Sequence, residues 1–281
     1  MTDEYTDHLV YDKLSRRTKN ESMAEPLRQL AAAELRHYEY WLKYAPDEKP
    51  KVSNFKINWI LFLETIFGVT FTVRYLDRHE GDVIKQYKSV RHLIPEGDTK
   101  AYDEMLVDEV DHEAYFSKMI EGSTIRYISF VVLGLADALV EVTGIHAGSL
   151  GIYHKTELAG LAGIIAGAAA SLAMASAAYA QAKQGFQGSA KASALYTGIS
   201  YFLTAVILAT PYFLTGSMVY ALAASLTLAV VIITCATYYS SVISSKPFAR
   251  DFLEILGIML GVTLALYVFG DFIGLTTGIT A

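Results

Sequence analysis

Apolar and polar positions divide this chain near residue 123. From Ile125 onward it becomes a series of apolar segments, at about 126–152, 157–182, 193–214, 217–241 and 250–273. Each is long enough to cross a hydrocarbon core of about 30 Å, which takes roughly 20 residues of helix. The pattern therefore predicts five membrane spans, residues 124–281 forming a membrane domain. Residues 1–122 are densely charged, with one apolar run from Ile57 to Val73 broken by Asn58, Glu64 and threonines. That run is borderline for a span. We expect instead one long helix continuing to about Val90, its apolar part in a dimer contact or against a membrane surface, where Trp41 and Trp59 could also serve.

Charge follows the same division. Residues 1–122 hold 17 Lys and Arg against 23 Asp and Glu, a net of 17 − 23 = −6, whereas residues 123–281 hold six of each sign. Acidity argues against nucleic acid as a partner, since that binding neutralises phosphates with Lys and Arg, and suits a module that attracts cations. The single cysteine, Cys235, can form no intramolecular disulfide or Cys-rich metal site and reads as core filling. Met1 to His8 are charged and polar where a secretory signal needs an apolar stretch, which keeps the first half in the cytosol. Alternation then puts Arg126, Lys183, Lys191, Lys246 and Arg250 on cytoplasmic flanks, only Lys155 outside, and the C-terminus outside, as the positive-inside rule asks of a multi-pass protein of the cytoplasmic membrane.

The candidate chemistry in the first half is a repeat. Glu4, Tyr11, Glu34 and His37 are followed by Glu80, Tyr87, Glu109 and His112, with Glu-to-Glu steps of 34 − 4 = 30 and 109 − 80 = 29. Glu and His three apart share a helical face, and a seven-residue step is nearly two turns. Four helices, two offering a Glu and two a Glu-x-x-His, carry the ligand set of dinuclear carboxylate bundles. Asp77, three residues before Glu80, shares that face and could bridge or switch. Tyr11 and Tyr87 keep a matched offset from Glu4 and Glu80, which points each ring toward the site to orient a ligating carboxylate.

In the first apolar segment Asp137 and Glu141 stand one turn apart, and an ionised carboxylate there costs at least ~2.5 kcal/mol unless it faces protein or water. The pair marks an ion pathway. Met174 in the second segment adds a thioether that could face the same route. His146, half a turn from Asp137, and His154 read as interfacial histidines, with an exit ligand as the alternative for either. Gly163-x-x-x-Gly167 and Gly257-x-x-x-Gly261 predict close helix packing.

On these residues the first 122 positions resemble the rubrerythrin branch of the ferritin-like superfamily, which implies Glu4, Glu34, His37, Asp77, Glu80, Glu109 and His112 as ligands to two iron or manganese ions. Position 77 is Asp where that family commonly has Glu. Residues from about 124 onward are similar to the vacuolar iron transporter family, chiefly through Gly134 to Gly148, GLADALVEVTGIHAG. Weaker echoes are Met174 to Tyr179, Tyr201 to Tyr212 with Pro211, and Phe252 to Gly270. The family's second span commonly has a Glu before a Tyr, and this chain has Ala178 before Tyr179. Many members insert a helical metal-binding domain between the second and third spans, where this chain has a short loop, about Ala182 to Ser193.

The expected fold is all-α, a ferritin-like four-helix bundle followed by a five-helix transmembrane domain. The expected function is export of Fe2+ or Mn2+: capture at the first site, with oxidation of Fe2+ there left open, then passage along Asp137 and Glu141 in exchange for protons, in the homodimer that the resemblance implies. The alternative is a membrane-tethered di-iron oxidase or peroxide reductase. A chain with only Cys235 cannot build the four-Cys iron site that commonly feeds electrons to rubrerythrin-like peroxidases, and that alternative leaves Asp137 and Glu141 without a role.

Overall fold

A computed structural model describes residues 1–77, 80–120, 127–153, 155–244 and 246–277; for residues 77, 80–83, 111 and 113–120 it describes the backbone alone. Among these residues every regular element is helical. They form two compact units, Met1–Gly122 and Ser123–Ala281.

The first unit opens with a helical hairpin. α1 (Thr2–Arg17) begins with Asp3 and Glu4 and ends with Arg16 and Arg17, charges that complement the helix dipole at both ends. Three residues later α2 (Glu21–Leu42) starts at Asn20, whose side chain accepts a hydrogen bond from the Ser22 backbone N–H. Val10, Tyr11 and Leu14 pack on Leu27, Leu30 and Ala31, and Ile57, Ile60 and Val73 close that core.

The long helix expected from Ile57 to Val90 is instead three pieces. α3 (Asn54–Phe67) stops at Gly68, whose φ of 84° and ψ of 165° are open almost only to glycine, and whose N–H bonds back to the Glu64 carbonyl at 2.8 Å. α4 (Val69–Asp77) and α5 (Glu80–Val90) follow. At 14 residues α3 extends about 21 Å, too short to cross a membrane. It buries Ile57, Ile60 and Leu63 and leaves Phe55, Trp59, Phe62 and Ile66 exposed on the opposite face. α6 (Thr99–Ile120) completes the unit, touching α2, α4 and α5. A second core joins Tyr40, Tyr87, Tyr102 and Met105, with Trp41 packed against it, so Trp41 serves the interior rather than an interface.

Among the described residues of the second unit five helices are long and apolar enough to cross a membrane: α7 (Ile128–Ser149), α8 (Thr156–Ala182), α9 (Ala190–Leu214), α10 (Met218–Ser244) and α11 (Phe248–Thr277). α7, the helix with the two acids, packs against all four others. α7 and α9 run parallel, since contacts pair rising numbers with rising numbers: Phe130 with Thr197, Glu141 with Tyr201, His146 with Tyr212.

Small residues set two of the crossings. A Cβ on Gly163 would lie 2.3 Å from His146 Nε2 and one on Gly167 2.5 Å from Ala205 Cβ, so this pair does seat α8 against α7 and α9. Gly257 and Gly261 face open space, and the packing expected of them within the chain is not there. Cys235 is exposed on α10 rather than filling a core.

Candidate metal centre

The hairpin and α6 bring Glu4, Glu34, His37 and Glu109 together. Each offers one ligand atom, and these four atoms lie within 4.8 Å of one another. All four side chains are buried, none more than 7 % exposed. Helical spacing explains the pairing on α2, where Glu34 and His37 stand one turn apart with His37 Nδ1 3.8 Å from Glu34 Oε2. From α6, Glu109 Oε1 comes to 3.0 Å of the same nitrogen. His112, one turn beyond Glu109, places its Nδ1 3.7 Å from Glu34 Oε1.

Three buried carboxylates at such range repel one another and lose hydration, which is costly unless a cation or protons compensate. Without metal, protons do so. Burial, reinforced by Glu109 and Glu4, raises the Glu34 carboxyl well above its usual range despite the His37 side chain. Burial opposes a charge on His37, but Glu109 and Glu34 outweigh it and push the imidazole up to about 10. Burial lowers His112.

The donors fit a metal ion in a further respect. Close as His37 Nδ1 is to Glu109, neither it nor His37 Nε2 nor His112 Nδ1 makes a hydrogen bond of proper geometry among the described residues. Once it sheds its extra proton, a buried imidazole in that condition has one lone pair to give, and a carboxylate and imidazole set suits divalent iron, manganese or zinc.

The surroundings orient these groups. Tyr87 donates its hydroxyl hydrogen bond to Glu4 Oε1 and in turn accepts one from Trp41 Nε1 at 3.2 Å. The tyrosine of the second repeat thus serves the first repeat's glutamate. Tyr102 donates to the Tyr87 carbonyl at 2.8 Å and fixes that segment. Tyr11 is buried in the α1–α2 core. Glu80 and Asp77 sit on helical backbone at the α5 start and the α4 end, but their side chains lie outside the described residues.

Three participants escaped the sequence reading. Asp108 Oδ2 lies 3.6 Å from His37 Nε2, the far side of the imidazole, and pairs with Arg36 at 3.2 Å. This ion pair separates two clefts of about 300 and 260 Å3, one reaching His37 and the other His112. Asp7, one turn after Glu4, is half-buried and pushed up to about 7 by burial, with Lys56 opposing and Glu4, Asp3 and Glu109 adding to the shift. Its i, i+3 relation to Glu4 is the signal in the sequence that points to it. Trp41 is the third.

In the second unit, α7 presents Asp137 and Glu141 half-buried one turn apart. Tyr201 from α9 donates a 2.5 Å hydrogen bond to Glu141 Oε2. Met174 is half-buried on α8, outside that contact. His146 is not interfacial: it is wholly buried, its ring 4.2 Å from that of Tyr212. His154 lies outside the described residues.

Comparison with protein-family models, with curated proteins and with solved structures finds no match to this chain.

Proposed function

We propose that this chain exports a divalent metal ion, Fe2+ or Mn2+, from the cytosol across the cytoplasmic membrane. The observation that carries this reading is the joining, in one chain, of a buried Glu4, Glu34, His37 and Glu109 cluster with five helices able to cross a membrane. In this reading the first unit is a ferritin-like four-helix bundle, of the rubrerythrin type, made by α1, α2, α4 with α5, and α6. Glu34, Glu109, His37, His112, Glu4, Asp77 and Glu80 would hold two metal ions per chain. Bound iron there would supply redox chemistry towards oxygen or peroxide, and so a possible ferroxidase step.

The membrane unit acts as a transporter of the vacuolar iron transporter type. Asp137 and Glu141 provide the negative charge that lets a divalent ion enter a low-dielectric layer, and the Tyr201 hydroxyl holds Glu141 toward α9. A carboxylate pair can take up protons once the ion leaves, which gives a route to proton exchange. The first unit faces the cytosol, the C-terminus faces out, and two copies form the working homodimer.

Two measurements test the reading together. Inverted vesicles containing the protein should accumulate Fe2+ or Mn2+ faster than protein-free vesicles, and the purified chain should hold two ions. Two bound ions without any uptake would favour a membrane-tethered oxidase.

A further inference from the structure

Between α8 and α9 the second unit carries an apolar groove of about 660 Å3. Its floor is made of small residues: a Cβ placed on Gly198 would come within 3.1 Å of Ala175 Cβ. Its walls are bulky and exposed, Leu172 at 72 %, Leu195 at 60 % and Leu203 at 55 %. One end is different. Lys191 and Tyr179 line it, and the Lys183 ammonium stands over the Tyr179 ring at 5.0 Å. The segment 180–192 has two lysines and no acid, and no Asp or Glu lines the groove.

From Lys191 to Leu203 is 203 − 191 = 12 residues, about 18 Å of helix. That length is close to one leaflet of a hydrocarbon core about 30 Å thick. We propose that the groove binds one anionic phospholipid, an acyl chain lying between α8 and α9 and the phosphate held by Lys183 and Lys191. The lysines alone could be explained by the positive-inside rule. An apolar channel of leaflet length that ends at Lys191, with Lys183 over the Tyr179 ring of the same end and no acid among the groove's lining residues, is what specifies a charged lipid.

The same charges disfavour a second copy as the occupant. A twofold axis along the membrane normal would bring identical residues together at equal depth, so each Lys191 would face its counterpart with no carboxylate between them. The proposal depends on these helices spanning a bilayer and not on metal export, so the two readings fail separately.

The test is native mass spectrometry of the full chain extracted from vesicles of equal phosphatidylglycerol and phosphatidylcholine. One retained phosphatidylglycerol per chain is expected, with a preference of about thirtyfold if each lysine contributes as a basic residue at an anionic surface does. Lys183→Gln with Lys191→Gln should reduce that preference to below about threefold, while Lys183→Arg with Lys191→Arg keeps most of it. Both lysines are exposed, so neither pair threatens the fold. Equal retention of the two lipids by the parent, or unchanged preference in the glutamine variant, overturns the proposal. So does efficient disulfide cross-linking between copies through Leu203→Cys in a Cys235→Ser background, because a second copy would then fill the groove.

Discussion

Tyr87 is the residue whose role can be tested most cleanly in the first unit. Its hydroxyl bonds Glu4 while its ring packs among Tyr40, Trp41 and Tyr102, so Tyr87→Phe removes the bond and leaves the packing. We expect a 10- to 100-fold loss of metal affinity or oxidation rate, about 1.4 to 2.7 kcal/mol, with thermal stability nearly unchanged. Isothermal titration with Fe2+ under nitrogen measures it; parental affinity would reduce the tyrosine to core. The protons on the metal-free cluster lead to a second expectation. His37, pushed up to about 10, is protonated near pH 7, and a metal needs its lone pair. Loading should therefore release at least one proton per chain, and affinity should rise with pH across 6 to 8. Titrations in buffers of different ionisation enthalpy would show it, and a pH-independent affinity without proton release would contradict it. The Glu34, His37 and Glu109 grouping was legible because the Glu-x-x-His pattern occurs twice, one turn apart on each of two helices, and so marks both helices as facing one site. Asp108 was not, since its approach to His37 depends on how α6 packs on α2, which no single-helix spacing encodes.

At the scale of elements, the five apolar helices were readable to within a few residues, because length and hydropathy alone decide them. The break at Gly68 was not, since a lone glycine in an apolar run is compatible with a continuing helix. Its backbone conformation makes the break essential. Gly68→Ala adds a methyl with nothing within 4 Å to clash, so the cost is conformational alone, about 1 to 3 kcal/mol. Both tryptophans of the chain lie in the first unit, so thermal unfolding followed by tryptophan fluorescence isolates that unit's transition. We expect the midpoint to fall for Gly68→Ala and to hold for Gly257→Ala, whose methyl also enters open space but in the membrane unit. An unshifted Gly68→Ala midpoint would mean that α3 and α4 do not need the turn. His146 teaches a related lesson: a polar residue near a span's end looks interfacial in sequence, and only the close approach of Gly163 reveals the space that encloses it.

For the whole molecule the central claim is that a cytosolic metal site feeds a membrane pathway through α7. The two units can be separated functionally at Asp137, which is half-buried on the helix that all other membrane helices touch. Asp137→Asn keeps size and most hydrogen bonding while removing the charge that would carry a cation through a layer where charge is expensive. Uptake of Fe2+ and Mn2+ into inverted vesicles should be measured for this variant beside the parent, with metal content of the purified protein as the control. The account predicts two ions still bound per chain and transport nearly abolished; transport at the parental rate by Asp137→Asn would contradict it.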